Sequence, residues 1–123
     1  IATDHAPHSA EEKKKSFRSA PFGIVGSETA FALSYTELVK KGYLTPMQLV
    51  EKLSLNPARI LGLDRGDISE GHIADIVIAD PEAEYVIDVN TFLSRGKNSP
   101  FHGRKVFGRI LLTMVNGEIV YEV

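Results

Sequence analysis

The chain has no cysteine, no apolar run long enough to cross a bilayer, no marked excess of either charge and no methionine at its start. Each absence excludes something. Without cysteine there are no disulfides, thiolate metal sites or cysteine nucleophiles, so any metal or acid–base chemistry falls to His, Asp and Glu. A bilayer span needs roughly 18 apolar residues in succession. Ile1 to Pro7 also lacks the basic start and apolar centre of a signal peptide. A cytoplasmic protein with no membrane partner is the expectation. Lys plus Arg number 14 against 16 Asp plus Glu, so the basic excess of a nucleic-acid-binding face is missing, and no nucleic-acid partner is expected. The 123 residues, 43% hydrophobic and 24% charged, have the composition of an ordinary globular sequence with material for at most one full domain. The chain opens on Ile-Ala-Thr-Asp-His-Ala-Pro-His rather than on Met, and position 1 is expected to lie inside a longer natural chain.

The polar stretch Ser9 to Ser19, with Glu11 to Lys15 as one charged run, has no sustained apolar period and reads as an exposed loop, which Pro21, Gly23 and Gly26 extend. A mobile lid is a second reading of that loop; a solvated face is the simpler one for Lys13 to Lys15. From Ser27 the apolar positions Phe31, Tyr35, Leu38 and Val39 fall near a helical period, and Gly42 supplies the stop. Thr45-Pro46-Met47-Gln48 places Thr at an N-cap, Pro at the first helical position and Gln where it can reach back to the cap, predicting a short helix through Leu53. Asn56-Pro57 repeats the cap-then-Pro signal before Gly62. Beyond Leu63 the pattern becomes β. A strand is predicted over 74–79, closed by Asp80-Pro81, with a second short one at Tyr85 to Ile87. Residues 93–104 read as an irregular connection. Two runs, 109–115 and 118–123, flank Asn116-Gly117 and predict a type I′ hairpin with Ile119, Tyr121 and Val123 on one packed face.

The chemistry concentrates in Thr3-Asp4-His5-Ala6-Pro7-His8, which follows Ile1-Ala2, a candidate strand end. A carboxylate at a strand's C-terminal end can ligate a cation and take a proton from metal-bound water. An Asp-His pair in a loop also serves as a plain cap or turn, and spacing alone does not choose between the two. His72 and His102 read as structural or surface residues.

These residues, followed by Ala20-Pro21-Phe22-Gly23-Ile24-Val25-Gly26-Ser27-Glu28-Thr29, resemble the C-terminal part of the bacterial dihydroorotases, in the amidohydrolase superfamily. The likeness runs on through Asn56-Pro57-Ala58-Arg59, Gly71 to Asp80, Asn98-Ser99-Pro100-Phe101-His102-Gly103 and the final hairpin. It implies that Asp4 is a metal ligand and the catalytic base and acid, that His8 binds the substrate carboxylate, and that the backbone at Phe22 and Gly23 contacts the pyrimidine ring. It further implies one or two zinc ions and reversible interconversion of N-carbamoyl-L-aspartate and L-dihydroorotate in pyrimidine synthesis. The family's other ligands, a His-x-His pair, a carboxylated lysine and two further histidines, have no counterpart in this chain.

The fold class implied is α/β: the C-terminal part of a (β/α)₈ TIM barrel (residues 1–63, with the last strand, active-site loop and helices) and part of a small β-sandwich domain (residues 64–123). The whole enzyme would be about three times longer, and the segment alone is expected to be inactive. Two other readings stand beside it. One is a hydantoinase- or allantoinase-type cyclic amidohydrolase. The other is a non-catalytic dihydroorotase-like subunit that scaffolds aspartate transcarbamoylase. A small-molecule substrate is expected, with a second copy of the chain or aspartate transcarbamoylase as the protein partners the resemblance implies.

Overall fold

The computed structural model describes residues 1–123. Helices fill the first half: α1 (Ala10–Lys13), α2 (Ala30–Ser34) continued by a π-helical turn (Tyr35–Val39), α3 (Pro46–Val50) and α4 (Asn56–Leu61). Strands fill the second: β1 (Ile76–Val86), β2 (Lys105–Val115) and β3 (Glu118–Glu122), joined in one antiparallel sheet of order β1-β2-β3. The mixed helix-and-strand character expected from sequence is present, but the strand end expected at Ile1-Ala2 is not. Those residues are exposed coil, and the only parallel pairing is a single bridge between His5 and Ile24. A parallel strand needs hydrogen-bonded neighbours along its length, and this chain provides one bridge on one side. No helix is long and apolar enough to cross a membrane.

Local chemistry explains the helices. At α3, Thr45 accepts the Gln48 N–H and Gln48 accepts the Thr45 N–H, a complete capping box with Pro46 in the first turn. A second box, missed in the sequence because no apolar run follows it, caps α1. There Ser9 accepts the Glu12 N–H and the Glu12 carboxylate accepts the Ser9 N–H. These Ser9 hydrogen bonds hold the Glu12 carboxyl below its ordinary range. The loop expected over 9–19 therefore contains one ordered helical turn. Asn56 corrects another expectation: at φ −66° and ψ −45° it is helical and not a cap. A π-helical turn, Glu51–Leu55, joins α3 to α4, and its wide spacing accommodates Pro57, which lacks an N–H. Gly62 at φ 66° ends the run.

The two strands expected around Asp80-Pro81 are one. β1 passes through a bulge between Asp80 and Glu84, where Asp80 Oδ1 accepts the N–H groups of Glu82 and Ala83, and pairing with β2 resumes at Glu84. Pro81 sits in that bulge, where the ladder asks nothing of its nitrogen. The hairpin turn has Asn116 at φ 52° and Gly117 at φ 81°, both positive as type I′ requires. Asp75 accepts the Asn116 N–H at 2.8 Å and pairs with Arg65, which also reaches Asn116, so the turn is tied to the segment before β1. One expectation fails in β3. Ile119 pairs with Met114 and Tyr121 with the adjacent Thr113, so an irregularity at Val120 places Ile119 and Tyr121 on opposite faces, and all of β3 is exposed.

The apolar core is small. Ala32 of α2, Ile87 and Val106 of β2 form its buried centre, with Leu33, Tyr85, Phe92 and Phe101 around it. Phe31 and Tyr35 stack at 5.8 Å between centroids and lie over Gly108 of β2. Gly108 has φ 91°, and a Cβ there would meet Phe31 Cε1 at 2.9 Å, so the position needs both the missing side chain and the left-handed backbone. Beside it, Thr36 Oγ1 accepts the Phe107 N–H at 2.8 Å, and Lys40 lies over the Phe107 ring at 4.5 Å.

Gly108→Ala is expected to destabilise the protein by about 1–3 kcal/mol, because it combines overpacking against Phe31 with an unfavourable φ. A chemical-denaturation midpoint equal to that of the unsubstituted protein would exclude this account of the helix–sheet joint. Gly117→Val is expected to cost a similar amount, on the order of 1–3 kcal/mol, by placing a β-branched residue at positive φ. Its midpoint is read in the same way, and the site around Asp4 should be untouched.

Candidate functional site

Two segments far apart along the chain lie side by side at the N-terminal end. The Ala6 N–H donates to the Ile24 carbonyl at 2.8 Å, next to the His5–Ile24 bridge, so residues 3–8 run alongside residues 22–26. Both glycines of the second segment serve this contact. A Cβ on Gly23 would lie 2.4 Å from Ala6 Cβ, and one on Gly26 would lie 2.9 Å from the Thr3 carbonyl oxygen. Their lack of a side chain is thus explained by the approach of chain to chain.

Asp4 stands at the head of the first segment, exposed, with φ 45°. A positive φ is uncommon outside glycine and is best tolerated by Asp, Asn and His. Backbone held in a sparsely populated region marks a place where the fold over-determines geometry. The next residue shows how that is done. His5 Nδ1 accepts the N–H groups of Gly26 at 3.1 Å and Ser27 at 3.2 Å, which leaves Nδ1 unprotonated and the ring proton on Nε2. His5 is therefore a brace for the turn entering α2, a role the sequence did not disclose.

His8 is half-buried. Its Nε2 donates to the Phe22 carbonyl at 2.7 Å, and its Nδ1 lies 3.8 Å from the Glu12 carboxylate. A carbonyl only accepts, so Nε2 carries a proton in this arrangement. Phe22 is 93% exposed, its ring free of the core. Lys13 corrects the solvated-face reading. Its ammonium donates to the carbonyls of Pro21 at 3.0 Å and Gly23 at 3.2 Å, tying α1 to the second segment, while Lys14 and Lys15 stay exposed. A recess beside His8 is lined by Lys13, Lys14, Arg95 and Lys97 and by no carboxylate, which makes it suited to an anion.

The structure thus brings His8, Phe22 and Gly23 together, with Asp4 four residues before His8 on the same segment. His72 and His102 lie elsewhere. His72 Nδ1 is 2.8 Å from Asp67, and His102 Nδ1 accepts the Val89 N–H at 3.3 Å, so both have local partners in turns. No three His, Asp or Glu side chains converge to hold a metal. With Asp4 as the one candidate ligand in this chain, a tetrahedral zinc site cannot be closed from its residues.

Comparison with known proteins extends the picture. The model of the amidohydrolase family matches residues 1–120. The chain is 52% identical over 122 residues to the dihydroorotase of Clostridium acetobutylicum, covering 99% of this chain and 29% of that protein. It is 55% identical over 122 residues to that of Bacillus cytotoxicus, again covering 99% of this chain but 28% of the relative. The chain thus spans less than a third of the curated relatives it matches. Among solved structures, an L-hydantoinase from Arthrobacter aurescens superimposes with a TM-score of 0.89 at 36% identity, covering 97% of this chain and 28% of that one. A D-hydantoinase from Thermus sp. gives 0.88 at 31% identity, covering 97% and 27%. With the family's pattern carried along nearly its whole length and the same backbone arrangement, the chain belongs to the amidohydrolase family.

Proposed function

We propose that this chain is the C-terminal part of a dihydroorotase, carrying the catalytic aspartate and part of the substrate carboxylate site. Residues 1–63 then supply the last strand, active-site loop and helices of a (β/α)₈ barrel, and residues 64–123 the last strands of the small β domain. The observation that carries this reading is the junction of His8 with Phe22 and Gly23 beside a recess of four cations, in a chain more similar to proteins named dihydroorotase than to the hydantoinases. A substrate bearing a carboxylate on a cyclic amide suits a basic recess; a neutral hydantoin ring does not use one. The small core points the same way. Only 11 of 123 residues are buried while Ile60, Leu61 and Ile68 are more than two-thirds exposed, as expected of helices and turns that pack against further protein.

The chemistry assigned to these residues is general acid–base catalysis with electrostatic binding. Asp4 accepts a proton from the attacking water and delivers it to the ring nitrogen as the amide C–N bond breaks; in ring closure the same proton travels back. His8 engages the substrate carboxylate through a ring N–H, which requires Nε2 to leave the Phe22 carbonyl or Nδ1 to be protonated. Phe22 and Gly23 offer backbone groups to the ring. One or two zinc ions would activate the water, and this chain contributes Asp4 alone to their ligands, the rest coming from outside it. The reaction takes place on a small molecule in the cytoplasm. The presence of Asp4 and His8 together supports a catalytic role over a scaffolding one for aspartate transcarbamoylase.

In the full-length enzyme, Asp4→Ala is expected to lower kcat by about 10²–10⁴-fold, whereas His8→Ala should mainly raise KM for dihydroorotate. Steady-state kinetics on dihydroorotate and on a neutral 5-substituted hydantoin test both assignments. Turnover of the hydantoin with none of dihydroorotate would overturn the reading in favour of the hydantoinase type. An unchanged KM in His8→Ala would remove its carboxylate role. The isolated 123-residue chain should show no dihydroorotase activity and bind zinc more weakly than about micromolar, since one carboxylate does not fix a metal. Calorimetric titration showing tighter binding that Asp4→Ala abolishes would contradict this.

A further inference from the structure

Asn98 lies in the irregular connection between β1 and β2, 90 residues after His8, yet its amide sits between the two site segments. Its Oδ1 accepts the His8 N–H at 3.0 Å. Its Nδ2 donates to the Ala6 carbonyl at 3.0 Å and to the Gly23 carbonyl at 3.2 Å. Its own carbonyl accepts the Val25 N–H at 3.2 Å. The neighbouring Gly96 is buried against Pro7, where a Cβ would meet Pro7 Cβ at 2.7 Å. The connection is therefore seated on the site.

We propose that Asn98 is the positioning residue for substrate binding, its single amide holding the backbone of His8 and of Gly23 in fixed register. The inference rests on the dihydroorotase reading for the identity of the substrate but not for the geometry. An amide is the group this place requires. One side must accept an N–H and the other must donate to two carbonyls, and only Asn or the longer Gln offers both. Rotating the amide by half a turn would set oxygen against two carbonyl oxygens and NH₂ against an N–H, losing all three bonds, so its orientation is determined. Aspartate has the same shape and keeps the acceptor for His8, but turns the donating side into a carboxylate oxygen facing two carbonyls. Asn98 makes no hydrogen bond to Asp4 or to its neighbours Thr3 and His5, so its effect belongs to substrate binding and not to proton transfer.

The test uses full-length enzyme carrying Asn98→Asp or Asn98→Ala, with Gly117→Val as a control of comparable expected instability outside the site. Each Asn98 variant is expected to raise KM for dihydroorotate by about tenfold or more, with kcat changed by less than about threefold. Asn98→Asp should be at least as impaired as Asn98→Ala, and Gly117→Val should keep the unsubstituted KM. A purely space-filling role would reverse that order, since aspartate preserves shape. Normal KM in Asn98→Asp, or an equal rise in Gly117→Val, overturns the proposal. Hydrogen exchange supplies a readout independent of substrate: the His8 amide should exchange about tenfold faster in Asn98→Ala. If the unsubstituted enzyme fails to turn over dihydroorotate, the functional reading falls while Asn98 is still judged by exchange. Unchanged protection of His8 then overturns the positioning role, as it also does if Asn98→Asp does not fold.

Discussion

The contact of α2 and the turn after it with β2 is the joint on which the rest of the structure depends. The chain has little core, and its two halves meet where Phe31 and Tyr35 stack over Gly108 and where Ala32, Ile87 and Val106 form the buried cluster. Polar contacts frame it: Thr36 with the Phe107 N–H, Lys40 with Glu82, and Glu37 with both Lys41 and Arg104. The Lys41 hydrogen bond is the main influence holding the Glu37 carboxyl below its ordinary range. These ion pairs are exposed and contribute little singly. Two of them, Lys40 with Glu82 and Glu37 with Arg104, join the helical half to β1 and to the residue before β2, while Glu37 with Lys41 is local to one helical turn.

Residues 3–8 and 22–26 share one bridge and one backbone hydrogen bond, too little to hold a functional geometry unaided. Three side chains from different parts of the chain complete the bracing. His5 ties the first segment to the turn entering α2, Lys13 ties α1 to the second segment, and Asn98 ties both to the sheet half. Each works by satisfying backbone groups that would otherwise have to find water, so the site is ordered by hydrogen bonds where apolar burial is scarce.

The same scarcity gives the functional reading its physical sense. A single parallel bridge cannot make a barrel, and one aspartate cannot make a zinc site. What the chain does contain is a carboxylate held at positive φ, an imidazole against a backbone carbonyl and a basic recess alongside, the groups on which the proposed function rests.

Features set within a few residues were legible in the sequence. The Thr45–Gln48 box, the helix from Phe31 to Val39, the stop at Gly62 and the Asn116-Gly117 turn each depend on backbone φ or on hydrogen bonds between near neighbours, and the residue types alone impose them. Asp4, His8, Phe22 and Gly23 were legible as a motif, through resemblance and not through spacing. Other features belong to the tertiary structure. The continuation of β1 past Pro81 depends on a partner strand that tolerates a bulge, and the exposure of Ile119 and Tyr121 on opposite faces depends on the irregularity at Val120. The roles of Lys13, Gly108 and above all Asn98 depend on where distant backbone comes to rest. An asparagine in a polar connection looks like any turn residue until a chain segment some 90 positions away presents it with one N–H and one carbonyl, and a segment 75 away with another carbonyl, and only folding brings those groups within 3.2 Å.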